Sequence, residues 1–343
     1  MNNRLLLAEL QARLRAGENV VWLGVARCQG STPREPGAHM LVGRDFTLGT
    51  IGGGHLELRA LEIARAQLAT APPAPRLERF PLGARVGQCC GGVVWLSFET
   101  VTPADLGWVA EANALAAADI PWLRLSALDR HRVEVLPASA ADQRADLQPL
   151  LQALPQQSGD QALLADLAPA LLLERFQPPE LHLALFGAGH VGRALVQVLA
   201  PLPLQVRWID PREDEFLPVL PANTRRLLSD DPLAEVAALP EDSAVLIMTH
   251  NHALDLELVR AWLARGDFRF LGLIGSAAKR ARFEARLRAR GNSEAQLARL
   301  VCPVGAPGVG GKEPEVIAIA VAAQLLALRR QASSAAHKTR RVA

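Results

Sequence analysis

The chain is poor in cysteine, with only Cys28, Cys89, Cys90 and Cys302 among 343 residues. Their spacing supplies no disulfide framework, no C-x-x-C redox pair and no four-ligand zinc set. That pattern points to reduced thiols in a cytoplasmic setting. An excess of one charge is also missing. Lys plus Arg, 37, nearly cancels Asp plus Glu, 35, for a formal charge of +2. This balance offers no general attraction to nucleic acid or to an anionic membrane. No apolar run reaches the length of a membrane span, since VIAIAVA near the end meets Gln324 before Leu328. The opening MNNRLLLAELQARLRAGENVVWLG sets Leu6, Leu7, Leu10 and Leu14 at helical spacing among charges, unlike a secretory signal. No internal repeat is evident. Arg329, Arg330, Lys338, Arg340 and Arg341 face no acid, and 331–343 read as a basic, disordered tail.

What is present divides in two. The length suggests two domains, with a seam at Pro178 and Pro179, where neither strand nor helix continues comfortably. Residues 1–177 read as a mixed α/β domain, with a buried strand near Val20–Ala26 and Gly/Pro-rich loops between short strands. The stretch 101–180 is rich in Ala, Leu, Gln and Pro and carries no chemical motif, and LLLERF (171–176) reads as a last strand. Residues 178–330 alternate apolar strands with helices, which argues for a parallel α/β sheet of Rossmann type.

Gly187, Gly189 and Gly192 form G-x-G-x-x-G at a strand-to-helix junction, and the next strand ends in Asp210. In a dinucleotide fold these glycines serve a tight turn, close approach to a pyrophosphate and helix packing, while the acid meets a ribose hydroxyl. A scaffold that packs the same glycines around another phosphate-bearing ligand, or none, stays open. MTHNHALD sets His250, Asn251, His252 and Asp255 at a strand's carboxyl end, where ligands bind in open α/β sheets. The two imidazoles could bind metal, shuttle protons or simply be hydrogen-bonded. Ser276 reads as an N-cap or site residue beside Lys279 and Arg280, two cations that could meet a phosphate. The loop CPVGAPGVGGKEPEV enters a helix at Pro314, with Lys312 and Glu313 at the entrance.

In the first half, Gly52, Gly53 and Gly54 precede a helix opening at His55. They form either an anion cradle or a plain tight turn. Ser31, Thr32 and Arg34 lie in a loop stiffened by Pro33 and Pro36. The stretch VGQCCGGVVW holds Gln88, Cys89, Cys90, Gly91 and Gly92. Its thiols are either small buried hydrophobes or one exposed soft ligand or sulfur-handling group.

In order, GSTPREPGAHMLV, GTIGGGHLE, GQCCGG, LALFGAGHVG, WIDPRE, MTHNHALD, LGLIGS and KEPEVIAIA resemble the XdhC/CoxI family, accessory proteins that mature molybdenum hydroxylases such as xanthine dehydrogenase. The resemblance omits about 101–170 and the tail. It implies a non-catalytic, homodimeric protein that binds molybdenum cofactor and shields it from oxidation. A cysteine desulfurase would then exchange an oxo group for sulfur, before transfer to the xanthine dehydrogenase molybdenum subunit. The implied cofactor contacts are Gln88 to Gly92, Gly52 to His55 with Glu57, the turn of Gly187, Gly189 and Gly192 with Asp210, and His250 and His252. Cys90 aligns with the family cysteine and is the implied molybdenum or sulfur contact. Cys89 is extra, and GAPGVGGKEPE lacks an acid that many members carry, so that acid's role does not transfer. A rival reading is an NAD(P)-dependent oxidoreductase with His250 or His252 as acid–base, or an NAD(H)-sensing module.

Overall fold

The run Val20–Ala26 is apolar on both of its faces, as a central strand must be when helices cover both sides of its sheet. In the computed structural model it is fully buried. The structure describes residues 3–70, 75–83, 91–129, 132–155, 159–166, 170–179 and 181–339, with 329–339 as backbone. The chain divides into two units, 1–178 and 179–343.

The first unit runs α1 (Asn3–Arg15), β1 (Val20–Gln29), β2 (His39–Val42), β3 (Thr47–Gly49), α2 (Gly54–Leu68), β4 (Arg76–Pro81), β5 (Val93–Val101) and α3 (Leu106–Ala117). It continues through β6 (Trp122–Ala127), β7 (Arg132–Pro137), α4 (Ala138–Ala141), α5 (Gln148–Ala153), β8 (Gln161–Ala165) and β9 (Leu171–Phe176). An antiparallel sheet of order β3-β2-β1-β5-β4 carries Val21, Leu23 and Val25 toward Leu56, Ala60 and Ala64 of α2. Val20 and Trp22 point the other way, onto Leu6, Leu10 and Leu14 of α1 and Val109 of α3. Period-two alternation thus serves two helical layers at once.

The motif-free stretch builds a second antiparallel sheet, β7-β6-β9-β8. Arg124 and Ser126 of β6 are both buried and interrupt its apolar pattern. Arg124 donates to both oxygens of Glu99 (3.1 and 2.5 Å) and to Glu174 (2.6 Å), and Ser126 donates to Glu99 (2.7 Å). His39 lies 2.5 Å from the other Glu174 oxygen. Burial alone would raise the pKa of Glu174, but His39 and Arg124 outweigh it and hold the carboxyl near 2.

The second unit contains β10 (His182–Phe186), α6 (His190–Leu199), β11 (Gln205–Asp210), β12 (Thr224–Leu228), β13 (Ala244–Ile247) and α7 (His252–Arg265). Then come β14 (Phe270–Leu273), α8 (Ala277–Ala289), α9 (Glu294–Leu297), β15 (Leu300–Val301) and α10 (Pro314–Thr339). The six strands are parallel, in the order β12-β11-β10-β13-β14-β15. This is the doubly wound order, whose switch point falls between β10 and β13. α6 and α10 cover one face through Leu195, Val196, Val321 and Leu325. α7 and α8 cover the other through Val259, Trp262, Phe283 and Leu287. α10 runs on to Thr339, through most of the segment expected as a disordered tail. Among the described residues no helix is long and apolar enough to cross a membrane.

Candidate functional site

In the first unit, three glycine-bearing blocks meet at one end of the β1 sheet. A Cβ on Gly92 would lie 2.4 Å from the Ser31 carbonyl and 2.6 Å from that of Gln29. Only glycine allows this approach. A Cβ on Gly52 would strike the Pro33 ring at 2.5 Å, and Arg34 Nη1 donates to the Thr50 carbonyl at 3.1 Å. The loop of Ser31, Thr32 and Arg34 therefore packs against both the Gly52 turn and the base of the β4–β5 hairpin. Gly91 faces open space beside it. Gln88, Cys89 and Cys90 lie outside the described residues. Cys28, at the same sheet end, donates to the Arg34 carbonyl, and burial pushes its thiol pKa up.

The Gly52–Gly54 turn holds an anion of the protein's own. Glu57 Oε2 accepts from the Ile51 and Gly53 amides, each at 3.1 Å, and from the Thr50 hydroxyl at 2.6 Å. The Gly52 amide donates to Thr50 Oγ1. These amides are thus not open to an external phosphate; Gly54 and His55, at the start of α2, remain exposed. A carboxylate in the first helical turn is where the helix dipole favours one. Its spacing from the turn was the available sequence signal.

In the second unit, the three glycines of the turn do different work. Added Cβ atoms on Gly187 and Gly192 would lie 2.4 Å from the Met248 carbonyl and 2.3 Å from the Gly187 carbonyl. On Gly189 a Cβ would meet nothing within 4 Å. Packing therefore requires glycine at 187 and 192 but not at 189. Asp210 ends β11 as expected, but it is buried and already hydrogen-bonded. It accepts from the Ala188 amide (2.7 Å), the Arg212 amide (2.9 Å) and the Arg212 guanidinium (2.9 Å). Burial alone would raise its pKa; Arg212 and the two amides prevail and lower it.

His190, His250 and His252 are exposed at the carboxyl edge of the sheet, and no cluster of three or more metal-ligating residues occurs among the described residues. Asn251 caps α7, accepting from Ala253 and Leu254. Ser276 is the N-cap of α8. Lys279, expected as a phosphate contact, is instead buried. Its ammonium donates to Asp255 Oδ2 at 2.7 Å and to the Ile274 carbonyl at 2.9 Å. Asp255 also accepts from the Thr249 amide and hydroxyl, so this pair ties two strand ends together. Sequence reasoning noted both residues without joining them, because nothing local links positions 24 residues apart.

A doubly wound unit with a glycine turn at its first strand, preceded by a sheet unit where three glycine blocks meet, defines a Rossmann-containing class of two-unit protein. Residues 183–325 match the family model described as the XdhC Rossmann domain, and residues 13–81 match that of the XdhC and CoxI family. The chain belongs to the XdhC and CoxI family. Over 159 residues it is 37% identical to YqeB of Escherichia coli (strain K12), covering 44% of this chain and 28% of that protein. The match thus spans little more than a quarter of that relative. A crystal structure described as a xanthine dehydrogenase from Bacillus halodurans shares the fold, with a TM-score of 0.71, 20% identity and 96% of each chain covered.

Proposed function

We propose that the protein is an accessory factor for xanthine dehydrogenase-type molybdenum hydroxylases. It binds molybdenum cofactor as cargo, holds it during sulfuration by a cysteine desulfurase, and passes it to the hydroxylase's molybdenum subunit. The observation that carries this reading is the meeting of the Gly30–Arg34, Thr50–Glu57 and Gly91–Gly92 segments at one sheet end. Gln88, Cys89 and Cys90 immediately precede Gly91 in the sequence. A thiolate suits a soft metal–dithiolene centre and its incoming sulfur. Glycine amides and a helix N-terminus suit the cofactor's phosphate, for which the Gly189 turn is the candidate. Family membership supports an accessory, non-catalytic role.

An NAD(P)-linked oxidoreductase would use the same Rossmann unit. The hydrogen bonds already made by Asp210 count against it, since that carboxylate would have to exchange its partners for a ribose. The test is reconstitution of an apo-hydroxylase with cofactor and desulfurase, with and without this protein. The expected result is faster activation and no steady NAD(P)H consumption by the protein alone. Unchanged activation, or turnover with a defined carbonyl substrate, would contradict the proposal.

A further inference from the structure

The loop between β15 and α10 has a cavity that the reading above does not use. It measures about 460 Å³ and opens at the carboxyl ends of β14 and β15. That volume lies within the range of small-molecule sites, roughly 300–1,000 Å³. Val304, Val309, Ile317 and Ala320 contribute apolar wall, the backbone around Gly310 contributes peptide edges, and Lys312 is the one charged lining residue. Glu313 stands at its edge, with Oε2 accepting from the Lys312 amide at 2.9 Å.

The loop is built rather than slack. The Gly305 amide donates to Gln324 Oε1 at 2.8 Å, and the Ala306 amide to the Ala320 carbonyl at 2.9 Å. Gln324, the residue that breaks the apolar run of α10, thus anchors the loop. Gly305, Gly308 and Gly311 all have positive φ, at 129°, 86° and 148°. A Cβ on Gly311 would strike Val316 at 2.7 Å, so the loop's path close to α10 requires glycine there.

We propose that this cavity binds one phosphorylated, flat heterocycle: a single phosphomonoester-bearing ring system, not a dinucleotide. Apolar walls take the ring faces, peptide edges meet the ring's donors and acceptors, and Lys312 meets the phosphate. The site lies at the carboxyl ends of β14 and β15, beyond β13 from the switch point. On the other side, Arg212 and the Ala188 amide hold Asp210. A nucleoside monophosphate and a phosphorylated pterin share the required chemistry, and the inference does not depend on molybdenum chemistry.

The test is calorimetric titration of the full chain with GMP, an oxidised phosphorylated pterin, the same pterin after phosphatase treatment, and NAD⁺. Each is repeated on Lys312→Glu, Ala306→Leu and the surface control Arg282→Glu, with folding followed by thermal melts. At least one phosphorylated ring should bind. Removing its phosphate, or Lys312→Glu, should weaken binding about tenfold or more. Ala306→Leu should block the cavity, and Arg282→Glu should match wild type. If Ala306→Leu does not fold, the exposed Lys312→Glu still decides. Binding of neither phosphorylated ring, binding indifferent to Lys312→Glu, or NAD⁺ binding more tightly than both would overturn the proposal. GMP binding without pterin binding would keep this site and identify its ligand as a nucleoside monophosphate. Cofactor retention by the protein with no binding in these titrations would remove this site and leave the proposed function standing.

Discussion

The Glu57 carboxylate closes the turn that Gly53 opens, one oxygen accepting the Gly53 amide at 3.1 Å and the Ile51 amide at 3.1 Å. A helix one turn away thereby fixes the loop that packs on Pro33 and Arg34. Glu57→Ala leaves these part-buried donors without an acceptor and should cost about 1–3 kcal/mol. Glu57→Gln retains a carbonyl oxygen and should cost less. Urea unfolding of both variants measures this; two unchanged midpoints would mean the carboxylate is incidental to the turn.

The glycine turn predicts an uneven substitution series. Gly187→Ala and Gly192→Ala drive a methyl into backbone and should each destabilise by about 2 kcal/mol or more. Gly189→Ala meets open space, so its stability should stay within about 1 kcal/mol of wild type. Any phosphate-bearing ligand that uses the turn should nonetheless bind Gly189→Ala more weakly, because its backbone approach is obstructed. Equal stability losses at all three positions would contradict this division of labour.

The parallel sheet was legible because its strands are short apolar runs ended by chemically marked turns, such as GAGHVG after Phe186 and ID at 209–210. The β7-β6-β9-β8 sheet was mostly hidden. Its centre buries Arg124, Ser126 and Glu174, and its charge partners Glu99 and His39 lie on other strands. Only the tertiary fold makes those positions tolerable. The same limit applies to the candidate sites. Glycine spacing marked the turns, but whether a turn's amides meet a ligand or Glu57 depends on side-chain reach. Likewise, Lys279 has the residue type of a phosphate contact and the position of an internal partner for Asp255.

A pH dependence follows from Asp160, which accepts from the Gln177 amide and from Asn3, each at 2.8 Å. Burial pushes its pKa up from 3.8 to about 6, against those two donors. The folded state therefore holds this proton more tightly than the unfolded chain does. Its contribution is most favourable below about pH 4 and declines as pH rises to about 6, by at most about 3 kcal/mol. Glu174, held near 2, acts in a separate window, losing its stabilisation as pH falls from about 4.5 to 2. Unfolding free energies of wild type and Asp160→Asn between pH 4 and 6 test this. Wild type should lose ground to the variant across that window, and parallel curves would contradict the assignment.

The proposed function has the protein carry molybdenum cofactor through a cysteine thiol of the Gln88–Gly92 stretch. Its most direct test is the cofactor content of the full chain purified after co-expression with the cofactor's biosynthetic pathway, for wild type, Cys89→Ser and Cys90→Ser. Serine keeps the approximate size but removes the soft, ionisable sulfur, so all three should melt alike. Cofactor should be bound to wild type, with a clear loss in Cys90→Ser and a smaller effect in Cys89→Ser. No cofactor on wild type, or equal content in Cys90→Ser and wild type, would contradict it.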